Sequence, residues 1–273
     1  MQTSYIKVVV SGSTVETYQY HDKALAYDYK VPNQQRNKGS LSGTDEEIEQ
    51  RKIESRKSSM LRAKFKLLRL INANAWRWFK RDGTIYPPIF LTLTFKEQVK
   101  IIKEANAIYS LFIKRLNYFL TGEKKASLAY TVVIEFQDFS RDGVVHYHVI
   151  FFNLPWIKKD TLAEIWGQGF IKVKKITTSD DAGAYVSKYM AKHFEDNRLD
   201  GQKRYFSTRG LFKPIQIRNE AIARLILEKL PKELVIYQKE FASEKRGRVT
   251  YTNYKLKNKQ TVFDVIPELN KLL

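Results

Sequence analysis

Apolar and polar positions change period along the chain, and the changes mark out strands, helices and loops. Ile6 to Val10 has the character of a strand, and the polar stretch from Pro32 to Thr44, with its glycine and serines, reads as a loop. From Asp45 to Arg81 there is no proline or glycine, and the pattern predicts a long helix. After an Asp82-Gly83 turn and Pro87-Pro88, the β-branched and apolar run Ile89 to Phe95 predicts a strand, followed by a helix over Glu97 to Phe119. Strands at Leu128 to Asp138 and Val144 to Phe152 are separated by Phe139-Ser140-Arg141-Asp142-Gly143, whose Asp-Gly pair signals a hairpin and hence antiparallel neighbours. A short helix at Thr161 to Trp166, a strand at Phe170 to Ile176 and a helix from Asp180 to Phe194, capped by Ser179, complete a mixed unit. Beyond it the pattern gives a helix from Glu220 to Leu230 capped by Asn219, and strands at Leu234 to Gln238 and Val249 to Tyr254. This succession is of the α+β class. It divides into an N-terminal basic extension with a long helix (1–85), a core (86–195) and a basic C-terminal extension (196–273).

Composition narrows the partner. The 273 residues are 43% hydrophobic, enough to bury a core, and carry 48 Lys and Arg against 29 Asp and Glu, a formal net charge of +19. Such an excess favours a polyanion, with nucleic acid first and an anionic membrane second. The 16 Tyr and 16 Phe argue against a disordered basic tail and leave rings that can stack on bases. With no cysteine, disulfides, thiolate nucleophiles and Cys-ligated zinc are excluded, and histidine, carboxylate and tyrosine are left to carry any chemistry. No apolar run has the length of a signal or membrane segment, which leads us to expect a cytoplasmic protein without a membrane partner. The 12 glycines form no GxxxxGK[ST] loop, so no nucleotide cofactor is expected and any strand unwinding falls to a partner. The basic middle of the long helix, including Arg62 and Lys66, is either a solvated face or a surface for DNA phosphates.

Two of the four histidines, His146 and His148, stand in Val144-Val145-His146-Tyr147-His148-Val149. On a strand, alternate side chains share a face, so the two imidazoles lie about 6–7 Å apart along the chain and can converge on one ion. Imidazole suits Mn²⁺, Zn²⁺ and similar ions, and two imidazoles leave positions open for phosphate oxygens. A hairpin loop from Ser140 to Gly143 gives an odd pairing sum, which puts Val133, Glu135 and Gln137 on the histidine face. Glu135 is then the natural third ligand and Gln137 the neutral oxygen alternative, whereas an even register offers Asp138. The plain alternative for a strand histidine is a hydrogen-bonded core residue.

In Ala184-Tyr185-Val186-Ser187-Lys188-Tyr189-Met190-Ala191-Lys192, helical spacing groups Tyr185, Lys188, Tyr189 and Lys192 in one polar sector beside an apolar stripe of Ala182, Val186 and Met190. A phenol is a poor nucleophile at neutral pH, but neighbouring cations favour the phenolate, and a metal on the scissile phosphate offsets developing charge. Ordinary amphipathic packing, with lysines lying alongside the rings, is the competing account.

Taken in order, Leu91-Thr92-Leu93-Thr94-Phe95, His146-Tyr147-His148 and Tyr185-Val186-Ser187-Lys188-Tyr189 resemble the three motifs of the HUH endonuclease superfamily. Within it the chain is similar to the rolling-circle replication initiators of phages and plasmids that carry two active-site tyrosines. The resemblance covers about residues 86–195, making that segment the HUH endonuclease core. It implies a central antiparallel sheet of HUH or palm-like kind with ferredoxin-like topology and helices on its faces. The His pair would lie on a middle strand and the first motif would be a structural strand. It also implies Mg²⁺ or Mn²⁺ on His146, His148 and either Glu135 or Gln137. One tyrosine would nick single-stranded origin DNA to give a 5′-phosphotyrosine and a 3′-OH primer, and the other would close the circle. Tyr185 matches the position used by YxxK-type relatives, and relatives lacking a tyrosine there use the position of Tyr189, so both stand as candidates. Lys188 matches the lysine of that pattern, with a role in orienting phosphate or stabilising the phenolate. The implied partners are a host helicase and DNA polymerase. The segment Arg204-Tyr205-Phe206-Ser207-Thr208-Arg209-Gly210-Leu211 resembles the one that follows the tyrosine helix in phage-type initiators, with Arg204 and Arg209, alongside Lys192, as DNA contacts; a surface hairpin is the alternative. A transposase or mobilisation relaxase would share the chemistry, although a relaxase commonly has a third histidine and an N-terminal tyrosine. A nucleic-acid-binding protein without catalysis would need only the charge and the rings.

Overall fold

In a computed structural model, residues 5–22, 43–138, 142–177, 182–183, 185–186, 196–199, 201–243, 247–257 and 259–272 are described. The fold is α+β, with two antiparallel five-stranded sheets. The chain divides into two compact units, Met1–Ala63 with Lys213–Leu273, and Lys64–Phe212. These boundaries differ from the sequence partition at 85/86 and 195/196, because the first and last segments of the chain share one sheet.

In the first unit β1 (Tyr5–Ser11) and β2 (Thr14–Tyr20) form a hairpin in which Ser11 pairs with Thr14. The two-residue connection has Gly12 at φ 59°, the left-handed value such tight hairpins require. The unit continues with β8 (Ile215–Ile217), α4 (Glu220–Lys229), β9 (Val235–Ser243), β10 (Gly247–Lys255) and the short α5 (Val262–Val265). The sheet order is β8-β1-β2-β10-β9. Ile6, Val8 and Val10 of β1, Val15 of β2 and Tyr254 of β10 bury one face against Ile222, Ala223 and Ile226 of α4. The Asn219 side chain accepts from the Ile222 N–H, the N-cap expected from sequence.

The long helix α1 (Asp45–Asn74) begins with a capping box in which Thr44 and Glu47 each accept the other's backbone N–H. It stops seven residues short of the Arg81 end predicted from pattern. Trp76 takes φ 64°, which no helix continues through, and the buried Asn74 side chain is engaged elsewhere. Its Nδ2 donates to the carbonyls of Leu70 and Phe212 at 2.8 Å each, and its Oδ1 accepts from the Phe212 N–H at 3.0 Å. Asn74→Ala leaves buried polar groups on Phe212 without partners. The expected cost is about 2–3 kcal/mol, read as a lower midpoint in denaturant unfolding.

The second unit contains β3 (Ile89–Thr94), α2 (Ile102–Thr121), β4 (Tyr130–Gln137), β5 (Val144–Phe151), α3 (Lys159–Trp166), β6 (Ile171–Lys175) and β7 (Tyr205–Ser207). Sheet order is β6-β3-β5-β4-β7. The succession β3-α2-β4-β5-α3-β6 with this order is the ferredoxin-like βαββαβ arrangement, to which β7 adds an edge strand. Leu91, Leu93, Val132, Ile134, Phe136, Val145, Tyr147, Val149 and Phe151 line one face, against Tyr109, Phe112 and Leu116 of α2 and Leu162 and Trp166 of α3. Each large side chain buried there contributes about 1.5–3 kcal/mol. With its apolar residues committed to that core, the sheet keeps its polar residues for the other face.

Candidate metal centre and tyrosine site

The β4–β5 pairing fixes which residues face the histidines. Glu135 pairs with His146, Val133 with His148 and Gln137 with Val144, the odd register expected from the loop length. The turn closes with Asp142 at φ 50° and Gly143 at φ 78°, and the Gly143 N–H donates to the Gln137 carbonyl at 2.9 Å. The even-register alternative, Asp138, is engaged elsewhere: it forms a two-pronged pair with Arg198 at 2.7 Å per contact. Arg198 in turn stacks over Phe136 and bonds Asp196, and these carboxylates hold its guanidinium firmly in the charged form.

The sheet places one ligand atom each from Glu135, His146 and His148 within 4.8 Å of one another, so the three can hold a metal ion. Both histidines are buried, at 7% and 4% exposure. β3 orients them. Thr94 Oγ1 lies 2.7 Å from His146 Nε2, and Thr92 Oγ1 lies 3.3 Å from His148 Nδ1. That leaves His146 Nδ1, 3.8 Å from Glu135 Oε2, and His148 Nε2, in contact with the same oxygen, as the inward atoms. For His146 Nδ1 to present a lone pair, its proton must sit on Nε2, so the Thr94 hydroxyl accepts. His146 Nδ1 is buried without a hydrogen-bond partner, and so is Gln137 Oε1 on the same face. A buried acceptor left open is costly unless something fills it, and two imidazoles with a carboxylate form a donor set suited to a divalent ion. The residues therefore fit a metal. Thr94→Val keeps the shape and removes the bond that fixes His146; the expected result is Mn²⁺ affinity about 10–100-fold weaker in a titration, with unchanged secondary structure by circular dichroism.

Of the tyrosine segment, Ala182, Gly183, Tyr185 and Val186 are described; all four are helical, with Ala182 and Val186 buried as the apolar stripe predicted. Gly183 is required: its N–H donates to Asn72 Oδ1 at 3.0 Å, and a Cβ there would sit 2.5 Å from the same oxygen. Tyr185 is half-buried and meets the Phe90 ring edge-on, centroids 5.2 Å apart, while Phe90 stacks on His148 at 5.6 Å. Lys174 Nζ lies 4.0 Å from the centroid of the Tyr185 ring. One phenol, one cation and the Glu/His/His group thus share a face of the sheet. Lys188, Tyr189 and Lys192 lie outside the described residues.

The remaining predicted DNA contacts fare differently. Arg204 is half-buried, and its guanidinium donates to the Asp196 carbonyl at 3.2 Å. Tyr205–Ser207 is an edge strand paired with Thr131–Val133, rather than a surface hairpin. Burial holds the Tyr205 phenol above its usual pKa, so it stays protonated. Arg209 and Lys66 are exposed in the second unit, and Arg62 is exposed on the part of α1 assigned to the first. Sequence reasoning missed Thr92, Thr94, Phe90 and Lys174. The alternation Leu91-Thr92-Leu93-Thr94 was the available signal for the threonines, since it puts both hydroxyls on one face.

Residues 88–194 match the model of a family of replication-associated proteins, the ORF2 type. The match supports a Rep-type replication protein acting at initiation, and it spans the metal-ligand candidates and the tyrosine segment alike. No curated protein matches the chain, and no solved structure does. Among the described residues no helix is long and apolar enough to cross a membrane.

Proposed function

We propose that this protein initiates rolling-circle DNA replication by nicking single-stranded DNA with a tyrosine. The observation that carries the reading is the placement of Tyr185 one ring away from a buried Glu/His/His group, with a lysine over the phenol. Tyr185 is the nucleophile. Its oxygen attacks the scissile phosphorus, the bond from phosphorus to the 3′ oxygen breaks, and the bonding pair leaves with that oxygen, which takes up a proton. The products are a 5′-phosphate esterified to Tyr185 and a free 3′-OH. Lys174 favours the phenolate that attack requires, and Lys188 is proposed to assist from the tyrosine helix.

A divalent ion, Mg²⁺ or Mn²⁺, held by Glu135, His146 and His148 with Gln137 as the adjoining neutral oxygen, would supply electrostatic stabilisation of charge on the phosphate. Thr92 and Thr94 fix the imidazoles so that little reorganisation is needed. Tyr189 is proposed for the later transfer, in which a 3′-OH attacks a phosphotyrosine, restores the phosphodiester and frees the phenol. The 3′-OH primes a host polymerase, and a host helicase opens the duplex, the sequence carrying no phosphate-binding loop of its own.

Incubating the purified chain with a single-stranded origin oligonucleotide and Mn²⁺ tests the reading. A covalent adduct resistant to denaturant is expected. Absence of an adduct, or an adduct that persists in the chain carrying both Tyr185→Phe and Tyr189→Phe, would overturn it.

A further inference from the structure

The outer strand of the catalytic sheet has a feature that neither the metal group nor the tyrosine accounts for. β6 pairs with β3 so that Lys172 stands opposite Thr92 and Lys174 opposite Phe90. Thr92 is in turn opposite His148. Both lysines therefore belong to the histidine face, in the row next to the residues that orient the imidazoles. Continuing the register, the Phe170 carbonyl accepts from the Thr94 N–H at 3.0 Å, which brings Phe170 opposite Thr94, the partner of His146. Phe170 is 63% exposed, a large apolar surface left in water, and Lys159 Nζ lies 5.3 Å from its ring centroid.

Gly169 fixes where Phe170 begins. It takes φ 149°, and a Cβ on it would fall 2.5 Å from the Thr94 carbonyl, so the turn before β6 is pressed directly onto β3. Lys172 is exposed, and among the described residues no carboxylate forms an ion pair with it. Lysines on an edge strand also deter pairing with foreign strands. That role does not call for an exposed aromatic in series with them on the catalytic face.

We propose that Phe170, Lys172 and Lys174 form the track along which single-stranded DNA enters the site. Lys172 and Lys174 hold consecutive phosphates, and Phe170 stacks on a base flanking the scissile position. Alternate positions of a strand repeat every ~6.6 Å, a rise that lets two lysines follow successive phosphates of an extended chain. Rings for stacking combined with cations for the backbone are what sequence-tolerant single-strand binding needs. Lys174, lying against Tyr185, would then deliver its phosphate to the nucleophile. The proposal rests on single-stranded DNA being the substrate of this site.

The test measures binding without cleavage. The full chain is titrated with fluorescein-labelled oligo(dT) in EDTA across a range of salt, and anisotropy gives affinity and its salt dependence. Lys172→Ala and Lys174→Ala are each expected to weaken binding and to reduce the slope of log affinity against log salt by ~0.7, the loss of one phosphate contact on a single strand. Phe170→Ala is expected to weaken binding about tenfold with the slope unchanged, and Phe170→Trp to retain it. Lys124→Ala, an exposed lysine beyond α2, is expected to match wild type. Wild-type slope in Lys172→Ala, wild-type affinity in Phe170→Ala, or an equal slope change in Lys124→Ala would overturn the track while leaving the nicking reaction to its own adduct assay. A wild-type chain that does not bind oligo(dT) at all would overturn the substrate reading and the track together.

Discussion

Tyr185→Phe is expected to abolish the first covalent protein–DNA product, lowering the rate of adduct formation by about 10⁴–10⁶-fold, the scale on which loss of a nucleophile is felt when the rest of a site remains. The substitution is narrow. Phenylalanine keeps the ring that meets Phe90 edge-on and that Lys174 covers, so packing at the face is preserved and only the attacking oxygen is lost. A helical segment held by Gly183 on Asn72, with Ala182 and Val186 buried, has no reason to move when one oxygen is deleted. The measurement is a denaturing gel of the chain with labelled single-stranded origin DNA, alongside DNA binding in chelator. The variant should bind as wild type and form no adduct. An adduct at wild-type rate would move the first attack away from Tyr185.

The second large effect belongs to the histidines. His146→Ala or His148→Ala removes one of three convergent ligand atoms and is expected to lower adduct formation about 10³-fold, because an ion on a phosphate contributes several kcal/mol of charge stabilisation and each ~1.4 kcal/mol is a factor of ten. Mn²⁺ binding should fall in parallel by calorimetry. Oligonucleotide binding in chelator should be nearly unchanged. That last comparison separates catalysis from mere binding: a protein that only holds DNA would be indifferent to both chelator and substitution. Loss of secondary structure in the variant would instead point to histidines that serve the core. The structure argues against that, since the core lies on the opposite face, with Tyr147 rather than its neighbours.

The local chemistry was legible in the sequence because it depends on short-range rules. Strand alternation put His146 and His148 on one face, and hairpin loop length put Glu135 beside them; both follow from spacings within a score of residues. The ferredoxin-like arrangement came from the resemblance, and the strand order bears it out. What stayed hidden depends on partners far along the chain. α1 ends at Asn74 because Phe212, 138 residues on, claims its side chain. β2 was unrecognised as a central strand because its neighbour on one side, β10, is more than 200 residues away. Asp138 is diverted by Arg198, 60 residues later, which no local register could reveal. Lys174 joined the site through a pairing of β6 with β3 that depends on the whole sheet being assembled. The two threonines sat in plain alternation, yet a hydroxyl's task as a histidine orienter shows only when the cross-strand partner is known.

The most direct test of the central claim is to find the bond itself. The chain is incubated with Mn²⁺ and circular single-stranded DNA carrying the origin, the product is digested with protease and nuclease, and the peptides are mapped by mass spectrometry, while the free DNA end is offered to a polymerase. The account predicts a 5′-phosphonucleotide on Tyr185 and a 3′ end that is extended without further processing. A linkage on another side chain, a 3′-phosphate, or cleavage with no nucleotide left on the protein would contradict it.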